Sequence, residues 1–208
     1  MALMKSYDLT VGGQGDGFHV YVSGRIESGQ FCDVESLTTM YDFTHGPDWT
    51  LEQGSESGET QRSRNVRGQM DDASCSWNFP VDLVYHSTNV HGWPRLVLTC
   101  RDDRRVLVGY GTVHVPCAAG TYTRYARIFA PTESSPIQRL VAWLTGEPAE
   151  YFNPRLPASN FGREVTRTTS AGVVKVQLTV STSGMAKFGY SENKGHQNNR
   201  AHDNAGKC

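Results

Sequence analysis

The chain has 208 residues, with 20 Lys and Arg against 21 Asp and Glu, so its formal net charge is -1 at neutral pH. That balance leaves no overall basic field, and we expect no nucleic-acid partner. Hydrophobic residues make up 38% of the chain, which excludes a disordered protein, and no apolar run is long enough to cross a bilayer. Five widely spaced cysteines without a CxxC pair argue against a disulfide framework and favour a reducing, cytoplasmic location.

Composition along the chain predicts one folded domain between two loosely ordered ends. Residues 1–16 lead into the glycine-rich run GGQGDG, which ends at Gly17, and carry no recognisable secretory or lipid-anchor signal. Residues 191–208 contain no Ile, Leu, Val, Phe or Trp, so we expect a flexible polar tail that ends in Cys208. Residues 17–190 show no internal linker and are predicted to fold as a single domain.

Alternating apolar residues predict antiparallel strands along most of this domain. In residues 172–181, the residues Val174, Val176, Leu178 and Val180 fall on one face of an extended chain. The stretch from Phe18 to Ile26 has the same pattern. Further strands are predicted, between turn residues, at 37–44, 74–79, 81–87, 94–100, 106–115, 121–129 and 163–168. Eight or nine short strands indicate an all-β fold, either a sandwich or a barrel.

One helix is predicted to interrupt the strands. Ser135 has the position of an N-cap, Pro136 that of the first helical residue and Gln138 that of a capping-box partner, while Gly146 marks the end. The apolar residues within it have helical spacing, so they would line one face that packs on the sandwich: Ile137, Leu140, Val141 and Leu144.

Motifs for catalysis are missing from the sequence. A serine-hydrolase elbow, a phosphate-binding loop and a dinucleotide fingerprint all fail to match, and the Gly109–Gly111 pair lies inside a predicted strand. The histidines His86, His91 and His114 have no zinc-site spacing. We therefore expect no enzyme activity, no metal and no cofactor.

Sugar binding is an alternative function, because exposed aromatic residues on a β-sandwich can stack against sugar rings. The four candidate residues are Trp77, Tyr85, Trp93 and Tyr110.

A series of short motifs, in a fixed order between about Phe18 and Tyr190, resembles the B9-domain family. The motifs include the sequences WNFP, GWP, GYG, VHVP, GREVTR and FGY. Prolines at strand ends, aromatic residues in a core and glycines at close contacts would explain many of these positions structurally. The motif residues are Trp77, Asn78, Phe79, Pro80, Gly92, Trp93, Pro94, Gly109, Gly111 and Pro116.

The resemblance implies a C2-like antiparallel β-sandwich of about eight strands with one short helix. It also implies a non-enzymatic scaffold of the ciliary transition-zone complex, at the basal body, which supports cilium assembly and the membrane diffusion barrier. The implied partners are sibling B9-domain proteins and other members of the tectonic-like complex.

Calcium-binding C2 domains hold their ions with aspartates in end loops, and the alignment places such a loop at residues 100–105. This loop contains Asp102 and Asp103 but also Arg101, Arg104 and Arg105, so its charge has the wrong sign for calcium. From an opposing loop only Asp33 and Glu35 are available as further ligands. The alternatives left open are weak contact of the three arginines with anionic lipid headgroups and a solvated turn.

A second candidate surface lies in the GREVTR run. In an extended chain Arg163, Val165 and Arg167 share one face, whereas Glu164 points to the other. Arginines beside an apolar residue suit a docking surface for a neighbouring protein, so Arg163, Glu164 and Arg167 are candidate partner-docking residues. Internal salt bridges are the equally weighted alternative.

Overall fold

A computed structural model describes residues 17–32, 34–67, 73–131 and 168–190, and most of these residues belong to antiparallel strands. The all-β fold class predicted from the alternating pattern is confirmed. The strands in chain order are β1 (Phe18–Phe31), β2 (Ser36–Thr44), β3 (Trp49–Gly54), β4 (Ser57–Glu59), β5 (Ser63–Arg64), β6 (Val66–Arg67), β7 (Ala73–Ser87), β8 (Arg95–Asp102), β9 (Leu107–His114), β10 (Gly120–Pro131) and β11 (Thr168–Ser183).

The strands form one curled sheet with the order β3-β7-β1-β11-β10-β9-β8-β2-β4. A single register pair, Phe129 with Tyr110, joins β10 to β9. We therefore treat the sheet as two halves, a first half of β3, β7, β1, β11 and β10 and a second half of β9, β8, β2 and β4. The halves face each other across one hydrophobic core, as in a sandwich: the Trp77 indole on β7 donates to the Leu37 carbonyl on β2 over 3.2 Å.

Strand β1 shows how the sequence pattern becomes burial. Phe18, Val20, Val22 and Ile26 are all fully buried, as the alternation predicted. At Glu27 the register with β11 shifts by one residue, which forms a β-bulge. Before the bulge the buried residues are even-numbered, whereas after it the odd-numbered Phe31 is buried. Both ends of the strand therefore point apolar side chains into the core.

The two strands predicted at 74–79 and 81–87 are one strand, β7, with Pro80 inside it; the predicted break is wrong. Pro80 pairs with Arg25 of β1 on one side. On the other side β3 ends opposite Leu83 and β6 begins opposite Ser74, so among the described strands none pairs with β7 at Pro80. The missing N–H of the proline therefore costs no ladder hydrogen bond on that side, because this part of β7 is an edge.

Four short strands between Trp49 and Arg67 were missed by the sequence analysis. Strands β4, β5 and β6 have two or three residues each, and most of the side chains in β3 to β5 are exposed. Without buried residues at every second position, such edge strands leave no alternation to detect.

Several sequence predictions fall outside the described residues: the loosely ordered start at 1–16, the candidate calcium ligand Asp33, the helix beginning at Ser135, most of the strand at 163–168, and the polar tail at 191–208. Within the described ranges the helical segment is a 3-10 helix at Met185–Phe188, which follows β11. No helix long and apolar enough to cross a membrane occurs in the described part of the chain.

Candidate functional site

The loop that contains Asp102 is a tight turn between β8 and β9. The Asp102 carboxylate accepts hydrogen bonds from the backbone N–H groups of Arg104, over 2.9 Å, and Val106, over 2.8 Å. Arg105 adopts a left-handed backbone with a φ of 65°, which closes the turn. Because the turn itself uses the Asp102 Oδ1 atom, this oxygen is poorly placed to ligate calcium, and no metal-ligand cluster occurs among the described residues.

The three arginines predicted to contact lipid have different environments. Arg101 donates to the Arg105 carbonyl over 2.8 Å and so braces the turn. The Arg105 guanidinium, which is 71% exposed, lies 3.5 Å from the Glu59 carboxylate. Arg104 is exposed, and it contributes to the turn through its backbone N–H, which donates to the Asp102 carboxylate. The structure thus brings all three to one end of the sandwich, where Arg104 and Arg105 are both exposed.

Two further arginines reach the same end from a distant part of the sequence. Arg62 donates to the Asp103 carbonyl over 3.3 Å. Arg64 lies opposite Ser36, next to Leu37, which in turn pairs with Asp102. We call these five residues the arginine end: Arg62, Arg64, Arg101, Arg104 and Arg105. The sequence analysis missed the first two because only strand pairing places them beside the turn.

The tryptophans of the family motifs lie in or against the hydrophobic core. Trp77 is 3% exposed. Trp49 donates to the His91 carbonyl over 2.7 Å, and its ring meets Trp93 edge-on at 5.0 Å. Asn78 has a φ of 46°, a left-handed conformation that Asn tolerates better than most residues. In the WNFP and GWP motifs it is therefore the tryptophans that pack with the core, while Asn78 lies at an exposed position of β7.

The sugar-binding alternative receives no support from this arrangement. Of its four candidate platforms, Tyr85 is 0% and Tyr110 is 1% exposed, and Trp77 is also buried. Trp93 is half-buried against Trp49. Rings that are packed edge-on inside the protein offer no face on which a sugar can stack.

Ionisable groups form a small cluster where β2 ends. The His45 ring contacts the Glu56 carboxylate, with Nε2 and Oε1 2.7 Å apart, and its centroid lies 5.3 Å from that of Tyr85. Burial raises the pKa of Tyr85, and the negative charge of Glu56 raises it further. Tyr85 therefore stays neutral, and the cluster ties the β3–β4 connection to the core.

The core thiols are equally unsuited to nucleophilic chemistry. Burial raises the pKa of Cys75 to about 11 and that of Cys100 to about 12. The Cys100 sulfur lies 3.6 Å from the Thr39 hydroxyl. Since the thiolate is the reactive form of cysteine, both groups are inert at neutral pH.

We expect maleimide to label Cys32 and Cys117, which are exposed, and to spare Cys75 and Cys100 in the folded protein at pH 7.5. Peptide mass spectrometry checks the pattern.

The two core thiols also predict a pH dependence. Because their pKa values are raised only in the folded state, the free energy of unfolding should fall as the pH rises above about 9, where the thiols of the unfolded chain ionise first. Rapid labelling of Cys100 at pH 7.5, or stability that rises between pH 9 and 11, would contradict the assignment.

The predicted docking residues Arg163, Glu164 and Arg167 lie outside the described residues, although Arg167 directly precedes Thr168, the first residue of β11.

The structure adds a candidate docking residue that the sequence analysis missed. Tyr125 on β10 is 65% exposed and lies opposite Lys175 on β11. The Lys175 ammonium is 2.7 Å from the Glu27 carboxylate, which raises its pKa through that hydrogen bond. An exposed tyrosine beside charged residues is a typical interface anchor.

Residues 20–181 match a family model described as ciliary basal body-associated, B9 protein. The chain belongs to the B9 family. The resemblance stated from the short motifs is thereby confirmed, and the match covers both halves of the sheet. The C2-like description that accompanied the resemblance agrees with the curled antiparallel sheet.

Curated relatives extend this assignment. The chain is 38% identical to B9 domain-containing protein 1 of Xenopus laevis over 178 residues, which is 84% of this chain and 89% of the relative. It is 38% identical to the Homo sapiens protein of the same name, over 83% of this chain and 86% of the relative. B9 domain-containing protein 2 of Bos taurus is 29% identical, over 82% of this chain and 97% of the relative. The chain is therefore similar to both kinds of B9 domain-containing protein, and its identity to the type 1 proteins of Xenopus laevis and Homo sapiens is higher than its identity to the type 2 protein of Bos taurus.

Proposed function

We propose that this B9 protein is a non-enzymatic scaffold component of the ciliary transition-zone complex, required for cilium assembly and for the membrane diffusion barrier at the ciliary base. The observation that carries the proposal is the match to a basal body-associated family over residues 20–181.

Its partners in this proposal are sibling B9-domain proteins and other tectonic-like complex members. Two kinds of relative, named B9 domain-containing proteins 1 and 2, each align with more than four fifths of this chain, which supports sibling B9-domain proteins as partners. Docking would use the predicted residues Arg163, Glu164 and Arg167. We add Tyr125, because a large exposed ring gains contact area on binding at little cost in side-chain entropy.

A ciliated cell line that expresses tagged variants tests the docking surface. Replacing Arg163 and Arg167 together by Ala should reduce co-precipitation of the sibling B9-domain proteins about tenfold or more, since interface arginines commonly contribute above 1 kcal/mol each. The tagged wild-type protein should concentrate at the ciliary base, and the double variant should be diffuse. A second variant, Tyr125→Ala, tests the exposed ring on β10, which lies in the part of the chain that the structure describes.

Thr123→Ala, on an exposed position of β10 near Tyr125, is the matched control and should bind normally. Melting temperatures of all variants exclude unfolding as the cause. Normal co-precipitation of a folded double variant would remove these arginines from the docking surface. Diffuse wild-type protein, in cells whose other transition-zone proteins are in place, would contradict the scaffold proposal itself.

The arginine end favours a second candidate function, calcium-independent contact with anionic lipid. Arg64 and Arg104 are both exposed at this end, beside the solvent-facing guanidinium of Arg105. Each arginine near an anionic surface contributes about 1 kcal/mol, so binding would be weak without the neighbouring complex members.

The same set of proteins separates the two functions. Replacing Arg64 and Arg104 by Ser should lower pelleting with phosphatidylserine vesicles and leave co-precipitation unchanged, whereas the Arg163 and Arg167 variant should do the reverse. Addition of EGTA should change neither result. Equal pelleting of wild type and the Arg64 and Arg104 variant would dismiss lipid contact by this end.

A further inference from the structure

The first part of β10 has an open edge. Strand β11 pairs with β10 along its full length. On its other side β10 pairs with β9 at Phe129, and a Cβ at Gly111 of β9 would lie 3.1 Å from the Arg127 carbonyl oxygen. Among the described strands, none pairs with residues 120–125 on that side. We call residues 120–125 the β10 edge, because the backbone groups of an outer strand that point away from its single neighbour can accept a further strand.

Both faces of the β10 edge are exposed. Arg124 pairs with Val176, a core residue of β11, so its side chain lies on the core side of the strand. Thr123 and Tyr125 lie on the opposite, outer face. All three side chains are exposed, and the exposed fraction of Tyr125 is 65%. The segment is therefore accessible to a partner on both faces of the sheet.

The surroundings of the β10 edge are basic. Strands β10 and β11 together contain Arg124, Arg127 and Lys175, and they contain no Asp or Glu. The Glu27 carboxylate lies 2.7 Å from the Lys175 ammonium and neutralises that charge. The Arg124 guanidinium lies 5.2 Å from the centroid of the Tyr122 ring, which is a cation-π contact. In the described part of the chain no acidic side chain pairs with Arg124 or with the exposed Arg127, so both positive charges are uncompensated.

We propose that the β10 edge binds an extended acidic segment of a partner protein, which adds to the sheet as a further strand beside residues 120–125. The backbone of the segment pairs with the open edge. Its Asp or Glu side chains pair with Arg124 on one face of the sheet and with Arg127 on the other, because successive residues of a strand point to opposite faces. Tyr125 adds contact area on the outer face. That the partner is a sibling B9-domain protein rests on the proposed scaffold function.

A protein strand fits this edge better than a membrane or a second copy of the chain. A lipid surface offers phosphates to the arginines, but it has no row of backbone groups to pair with the edge. In a symmetric dimer the β10 edge would meet itself, so Arg124 of one copy would approach Arg124 of the other. Like charges on neighbouring strands are unfavourable.

Titration of the full, isotope-labelled chain with a defined peptide, followed by amide NMR, tests the proposal. The probe is a heptapeptide of alternating Thr and Glu, and its counterpart has Lys in place of Glu. We expect the acidic peptide to shift amide signals in residues 120–127 and the basic peptide to shift none there. Replacing Arg124 and Arg127 together by Glu should weaken binding of the acidic peptide about tenfold or more. Replacing Arg64 and Arg104 at the arginine end by Ser is the matched control and should leave this affinity unchanged.

Four outcomes would overturn the proposal. They are shifts confined to the arginine end, equal affinity of the wild type and the Arg124 and Arg127 variant, vesicle pelleting that this variant loses, and self-association that it loses. The last two would assign the edge to anionic lipid, tested with phosphatidylserine vesicles, or to a second copy, tested by sedimentation velocity. Melting temperatures establish that the variants are folded. If the Glu variant unfolds, Arg124→Gln with Arg127→Gln replaces it and should weaken binding in the same direction.

Co-precipitation in the ciliated cell line separates this proposal from the scaffold function. If the wild-type protein recovers the sibling B9-domain proteins and the folded Arg124 and Arg127 variant recovers them equally, the β10 edge is not their docking site and the scaffold function stands. If the wild-type protein is diffuse in cells but the acidic peptide binds residues 120–127, the scaffold function fails and the acidic-segment site stands.

Discussion

Replacing Trp77 by Ala is expected to lower the free energy of unfolding by about 3 to 5 kcal/mol, the usual cost of removing a large buried ring. The Trp77 side chain is 3% exposed and spans the sandwich, since its indole on β7 donates to the Leu37 carbonyl on β2. The substitution removes both the core volume and this link between the halves. Urea unfolding followed by circular dichroism measures the change.

Ser76→Ala is the matched control for this experiment. Ser76 is exposed and lies one residue before Trp77 on the same strand, so the control should change stability by less than about 0.5 kcal/mol. Trp77→Phe should fall between the two, because it keeps much of the ring but leaves the Leu37 carbonyl without its donor. A loss below 1 kcal/mol for Trp77→Ala would show that the halves do not depend on this ring.

The second large effect is expected at Gly109, where β9 passes close to β10. A Cβ at Gly109 would lie 2.8 Å from the Phe129 carbonyl oxygen and 2.8 Å from the Ile128 Cγ2 atom. The backbone of Phe129 cannot yield without disturbing its pairing with Tyr110, the one register pair between the halves. We expect Gly109→Ala to cost about 1 to 3 kcal/mol in the same urea experiment.

Gly111 provides an internal comparison. A Cβ there would lie 2.5 Å from the Ile128 Cδ1 atom, which is the end of a flexible side chain. Ile128→Val removes that atom, so it should recover part of the stability lost in Gly111→Ala. It should not rescue Gly109→Ala, because Cγ2 and the backbone of Phe129 remain. Rescue of both variants alike would mean that β9 and β10 are separated more widely than the structure shows.

The sequence by itself determined the all-β class, the buried faces of β1 and β11, and the B9 family. Each of these depends on local information: alternation with a period of two is complete within one strand, and the WNFP and GWP motifs are contiguous. The alternating residues from Phe18 to Ile26 specify their burial whichever strand lies beside them.

The tertiary structure alone decided which distant residues meet and which faces are covered. Arg62 reaches the turn at Asp103 only because β2 pairs with both β5 and β8, and Pro80 lies inside β7 only because the strand has an open edge there. Val97 and Tyr110 read as ordinary outward positions of strands, yet both are buried. Strand pairing and the covering of a face depend on residues far apart in the chain, and no local pattern records them.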